Sequence, residues 1–163
     1  MDAEHFRTLA RYNGWANRRL YDAVARLPES EYFQARPSFF GSIHNTLNHI
    51  WVGDEIWLGR IEGRPPGGLK LDDRPFPDLA ALRRAREAQD ARIVAMAAGL
   101  DGAALAEDIV YRNSSGKEFR TRLSWVLTHL VNHQTHHRGQ VHDMLSQTPV
   151  PPPELDLIYF LRQ

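Results

Sequence analysis

His129-Leu130-Val131-Asn132-His133-Gln134-Thr135-His136-His137-Arg138-Gly139-Gln140 packs four histidines into nine positions, and its reading decides the rest of the chain. Read as a helix, positions four apart lie on one face about a turn from each other. His129, His133 and His137 then form a row, with Gln140 close to its line. A pair such as His133 and His137 points two imidazoles at one spot without ordering a loop, where each nitrogen must come to about 2.0–2.1 Å from a zinc ion. Two histidines are not a site, so a third protein ligand has to come from elsewhere.

The chain has 163 residues, 42% hydrophobic and 25% charged, which suits one globular domain over residues 1–163 with a real core. Its formal net charge of +0 carries no basic footprint for nucleic acid and no polybasic attraction to an anionic membrane. With no cysteine, disulfides, thiolate ligands and a cysteine nucleophile are excluded, and nitrogen and oxygen donors are left for any metal. Met1-Asp2-Ala3-Glu4-His5 lacks the basic start and apolar run of a signal peptide, and no apolar run approaches about 18 residues. The expectation is a soluble, cytoplasmic protein.

Phe6, Leu9, Ala10, Leu20 and Val24 recur at helical period over about Ala3 to Arg26, ending before Pro28. Asn13 and Asn17 interrupt that apolar face. A buried amide without partners costs about 1–3 kcal/mol, so both are expected to bond between helices or to orient a ligand. Glu29 to Phe33 suits a short helix, and Ser42 starts a long one to about Ile61. Within it, His49 shares a face with Val52, Gly53 and Ile56 and is predicted to point inward, while His44 is predicted to point away. Asp54 is a candidate for orienting a ligand, or an ion-paired or solvated acid. Gly53 either leaves space beside an ion or serves close helix packing.

Residues 62–77, centred on Arg64-Pro65-Pro66-Gly67-Gly68, read as a long surface connection. Asp78 caps a histidine-free helix through about Ala98. Alternating stretches on either side of Asn113-Ser114-Ser115-Gly116 predict a β-hairpin. The histidine helix begins near Thr121 to Ser124 and runs to about Ser146, before Pro149 and the Pro151-Pro152-Pro153 run. A last short helix is predicted over Glu154 to Leu161, packing Leu157, Tyr159, Phe160 and Leu161 onto the rest. There is no internal repeat, phosphate-binding glycine loop, serine-nucleophile elbow or His-Glu-x-x-His.

Tyr12-Asn13-Gly14-Trp15-Ala16-Asn17, then Leu47-Asn48-His49-Ile50 with Asp54 and Trp57, then the row from His129 to Gln140, together resemble the DinB-like superfamily, also described as DinB/YfiT-like metal-dependent enzymes. The resemblance covers almost the whole chain in order and is most specific in the last motif. It implies an all-α fold, a four-helix bundle of up-down-down-up type, here with a small β-hairpin before the last long helix. The family's ligand triad takes one histidine from the second long helix and a His-x-x-x-His pair from the last, which falls on His49, His133 and His137. The resemblance also implies a homodimer, and related branches that use low-molecular-weight thiols tilt the choice of mechanism toward thiol transfer to a small molecule. Of the surplus histidines, His129 competes with His137 for a place in the triad and is assigned to lining the pocket or hydrogen bonding. His136 and His142 are assigned structural or exposed roles, and Gln140 either orients a water at the ion or caps the core.

Three neutral imidazoles leave a divalent ion its full charge and an open position, the arrangement of a catalytic site. Such an ion lowers the pKa of water or a thiol, so a hydrolase and a thiol-dependent S-transferase are the two mechanisms considered. Zinc is expected, with nickel, iron and manganese as competitors. The rival expectation is a non-enzymatic metal-binding protein of a stress or DNA-damage response, its site structural or a remnant.

Overall fold

The computed structural model describes residues 2–64, 67–113 and 115–163; Pro65-Pro66 of the long connection and Ser114 of the hairpin turn lie outside the described residues. In chain order come α1 (Ala3–Val24), α2 (Glu29–Phe33), α3 (Ile43–Ile61), α4 (Leu79–Ala98), α5 (Gly102–Ala106), β1 (Asp108–Arg112), β2 (Glu118–Arg122), α6 (Leu123–Ser146) and α7 (Leu157–Leu161). The protein is therefore mostly helical with one small hairpin, as the sequence predicts.

The helix starts are written in side chains. Asp2, Ser42, Asp78 and Asp101 each accept a hydrogen bond from the backbone N–H three residues on, at 2.9, 3.1, 2.7 and 2.8 Å. Each such cap satisfies one of the donors that a helix N-terminus leaves over and contributes about 1 kcal/mol. α6 has no side-chain cap. It continues directly from β2, and the Leu123 N–H donates to the Glu107 carbonyl at 2.8 Å, so the hairpin itself closes this helix end. β1 and β2 pair antiparallel with Val110 opposite Arg120. In the turn, Asn113 Oδ1 accepts from the Lys117 N–H, and Gly116 takes a φ of 80°, a region where a Cβ is penalised.

α1 and α3 each pack against both α4 and α6, and the four long helices share two apolar clusters. One gathers Leu20, Val24, Leu47, Ile50, Leu82, Val141 and Leu145. The other gathers Phe6, Ala10, Leu58, Ile93, Ala97, Leu127 and Leu130. Each fully buried aliphatic side chain among them contributes about 1.5–3 kcal/mol. Between the clusters every long helix turns polar: Asn13 and Asn17 on α1, Asp54 on α3, Arg86 and Asp90 on α4, Gln134 and Arg138 on α6, all buried.

These side chains form one network. Asp54 accepts from Arg86 at 2.6 Å and from Gln134 at 2.5 Å, and Asn17 donates to Asp90 and to the Gln134 carbonyl oxygen, both at 3.0 Å. Arg138 donates to Asn13 and, at 3.0 Å, to Gln134. Asn13 and Asn17 thus bond between helices, the first of the two expected roles. Burial pushes the Asp54 carboxyl up to about 6 against the pull of Arg86.

One local expectation, the length of α7, is corrected, and two features are added. α5 was not predicted; its Asp101 cap is the one local signal, and Leu105 fixes it by burial in the second cluster. α7 is shorter than predicted, with Leu157 and Phe160 packing on Tyr12, Trp15 and Ala16 of α1 while Tyr159 and Leu161 stay exposed. His44 is buried, because α2 covers that side of α3: Tyr32 Oη lies 3.0 Å from His44 Nδ1, and Phe33 packs on the ring.

Candidate metal centre

The face of α3 that carries His49 meets the histidine row of α6. His49, His133 and His137 come together, one nitrogen of each lying within 4.8 Å of the others, with His49 and His137 buried and His133 half-buried. His49 Nε2 and His133 Nε2 are 3.2 Å apart. Ligands held at about 2.0–2.1 Å in a tetrahedron stand roughly 3.3–3.4 Å from each other, so this spacing is that of two donors sharing one small ion.

The tautomers agree with that use. His49 Nδ1 donates to the Leu71 carbonyl at 2.8 Å and His137 Nδ1 to the Gln140 side-chain oxygen at 2.8 Å, which leaves Nε2 of both rings with a free lone pair. A second ring nitrogen tied to a carbonyl is the usual way a ligating imidazole is fixed in tautomer and orientation. His133 Nδ1 is buried without a partner. If Nδ1 carries the His133 proton, that N–H is buried without an acceptor and two Nε2 lone pairs face each other at 3.2 Å; if Nε2 carries it, it donates to His49 Nε2 and a buried lone pair is left at Nδ1. A cation between the facing nitrogens relieves the first arrangement, so the donor set fits a divalent ion.

Burial and the neighbouring rings lower the His133 pKa to about 3, and burial lowers those of His49 and His137. All three imidazoles are therefore neutral near pH 7, the form that ligates. Phe40 stacks on His49 at 4.0 Å between ring centroids and presents an edge to His137 at 5.4 Å. Gly53 faces His133, and a Cβ there would stand 2.8 Å from His133 Cε1. The space Gly53 leaves is taken by the His133 ring of α6, so the glycine serves close packing of α3 on α6 at the site.

The remaining candidates fall outside the triad. His129 continues the row but turns to Trp57, ring centroids 4.9 Å apart. His136 is exposed against His137, and His142 is half-buried. Gln140 anchors His137 directly. Asp54 touches none of the three histidines; it pairs with Arg86 behind them, next in sequence to Gly53 as Gln134 is to His133. Sequence reasoning missed Phe40 and the Leu71 carbonyl. A backbone acceptor has no residue-type signature, and Phe40 is marked only by lying just before the Gly41-Ser42 start of α3. A cavity of about 400 Å³ between α1, α4 and α7, lined by Arg11, Arg18, Asp90 and Phe160, contains none of the histidines. No helix among the described residues is long and apolar enough to cross a membrane.

Comparison with known proteins gives a consistent result. The DinB family model matches residues 1–163. The chain is 28% identical over 145 residues to Protein DinB of Bacillus subtilis (strain 168), an alignment that covers 85% of this chain and 83% of that protein.

Proposed function

The chain belongs to the DinB family, and from that premise we propose that it is a metalloenzyme whose divalent ion is held by His49, His133 and His137 and which acts on a small molecule, as a thiol-dependent S-transferase or a hydrolase. The observation that carries this reading is the convergence of three neutral imidazoles from two helices, two of them already fixed in tautomer by Leu71 and Gln140. An ion so held supplies Lewis acidity that makes a thiol or water nucleophilic near neutral pH. Zinc is the first candidate from three nitrogen donors, with nickel, iron and manganese decided by availability.

The chain's own residues do the rest. Phe40 covers the His49 face and keeps water from it, Gly53 gives the His133 ring its place, and the Asp54, Arg86 and Gln134 network locks α3 to α6 directly behind the site. The order in which the helices cross the two apolar clusters supports the up-down-down-up bundle: α1 and α6 run from the Phe6 cluster toward the Leu20 cluster, and α3 and α4 run the opposite way. A single domain over residues 1–163, a homodimer and a cytoplasmic location complete the proposal, the homodimer on the family resemblance. Metal analysis of the purified protein, followed by a panel pairing low-molecular-weight thiols with electrophiles and a parallel hydrolysis panel, tests it. Stoichiometric metal with metal-dependent turnover supports the reading. Stoichiometric metal with no turnover favours a structural site in a stress or DNA-damage response protein, and absence of metal affinity refutes the metalloenzyme and leaves a remnant site.

A further inference from the structure

Beyond the triad, the facing sides of α3 and α6 continue into a group of aromatic rings. Trp57 packs edge-on against His129 at 4.9 Å and against Tyr111 of β1 at 5.2 Å, so the hairpin joins this group of rings. Over these rings lies Arg60, its guanidinium carbon 4.3 Å from the Trp57 centroid and 4.9 Å from that of Tyr111. His49, Gly53, Trp57 and Arg60 follow one another along a single face of α3, as His137, His133 and His129 do along α6. Arg60 is seven residues beyond Gly53, about 10 Å along the helix at 1.5 Å per residue.

Arg60 has no acidic partner among the described residues. The nearby acids of α3 are committed elsewhere: Glu55 pairs with Arg64 and Arg92 at 2.7 and 2.8 Å, and Glu62 pairs with the same two arginines. A guanidinium stacked on aromatic faces keeps its edge N–H groups free, and such an edge matches a carboxylate with two parallel hydrogen bonds. Its place in the last turn of α3, where the helix dipole favours positive charge, explains a basic residue at this level. It does not explain a partly desolvated guanidinium held between rings of two elements and aligned with the histidines.

We propose that Arg60, held by Trp57 and Tyr111, is an anion-binding residue of the substrate site, and that the substrate is a small molecule with a carboxylate at Arg60 and its reactive group toward the three histidines, about 10 Å of helix rise away. This rests on the metalloenzyme reading for the reactive end, whereas the carboxylate site itself stands without it.

Binding of octanoate and octanamide, measured by calorimetry on zinc-loaded and on chelated protein, isolates the anion site, since the two probes differ only in the charged group. Wild type is expected to bind octanoate about tenfold tighter than octanamide, as one charge-assisted interaction gives. Arg60→Gln should abolish that preference and Arg60→Lys should keep part of it, with circular dichroism confirming that both variants are folded. Equal affinity for the two probes in wild type, undetectable binding of both, or a preference that survives in Arg60→Gln overturns the proposal. A third probe, 8-mercaptooctanoate, reports on the histidine end. If it binds zinc-loaded protein no tighter than octanoate, the alignment of the carboxylate site with the histidines is overturned; if the protein takes up no zinc while the octanoate preference persists in chelated protein, the metal reading fails and the Arg60 site stands.

Discussion

Replacing Gly53 by alanine sets two effects of opposite sign against each other. In a helix interior alanine is favoured over glycine by about 0.5–1 kcal/mol, so propensity alone predicts a more stable α3. The new Cβ, however, would stand 2.8 Å from His133 Cε1 and 3.4 Å from His133 Nδ1. Non-bonded carbons settle at about 3.5–4.0 Å, so the ring has to retreat by roughly 0.7–1.2 Å. Metal-to-ligand distances tolerate only about 0.2 Å. The variant is therefore expected to be close to wild type when chelated and to lose a hundredfold or so in affinity for zinc, the upper end of what a disturbed ligand support costs. With free zinc buffered a hundredfold above the wild-type dissociation constant, binding stabilises wild type by about 2.7 kcal/mol. At the same free zinc, a hundredfold weaker site gains only about 0.4 kcal/mol from the same relation. Urea unfolding of both proteins, zinc-buffered and chelated, reads the two numbers. A Gly53→Ala protein that keeps the full zinc-dependent gain would show that His133 is not held where the site requires it.

The other expectations follow from the same contacts. Asp54→Ala leaves Arg86 buried with Asp90 as its remaining acidic partner and should cost about 3–5 kcal/mol in urea unfolding. Asp54→Asn, which can still accept from Gln134, should cost less, and a loss below about 1 kcal/mol for Asp54→Ala would contradict the network. His44→Ala and His142→Ala should keep wild-type metal content. His44→Ala should nonetheless be destabilised, because it empties the contact with Tyr32 and Phe33; loss of metal from either folded variant would refute the assignment of faces. In metal-free protein the three triad imidazoles have pKa values below the ordinary 6.5, His133 near 3, so the unfolded chain takes up protons first. Their contribution is complete above about pH 6.5 and is lost as pH falls from there toward 3. Asp54, raised to about 6, works in the opposite sense between about 6 and 3.8, so Asp54→Asn should lose stability more steeply with acid than wild type. Equal slopes would argue against its shift.

Periodicity and caps made most of the fold legible. The Ser42 and Asp78 caps mark the starts of α3 and α4, and the prolines after Ser146 mark where α6 stops. The inward face of His49 and the row on α6 were legible for the same reason, since a wheel needs only the helix to exist. The wheel separated His44 from His49 correctly but could not show that α2 would cover His44, because burial on an outer face depends on what arrives from elsewhere in the chain. Asp54 alone reads as a solvated or ion-paired acid, and its burial with Asn17, Arg86, Asp90 and Arg138 appears only when four helices bring their polar turns to one level. The Leu71 carbonyl, which fixes the His49 tautomer, belongs to a long connection of the kind that can wall a site, but residue types do not mark which backbone carbonyl reaches the histidine.

Whether three imidazoles from α3 and α6 share one ion is read directly by zinc-edge X-ray absorption of the loaded protein, which counts them. Wild type is predicted to show three imidazole nitrogens at about 2.0–2.1 Å, and His49→Ala, compared under the same zinc buffer, to show weakened binding with two at most. A spectrum without imidazole scattering, or three imidazoles retained in His49→Ala, would contradict the account, and the second result would move His129 into the place given to His49.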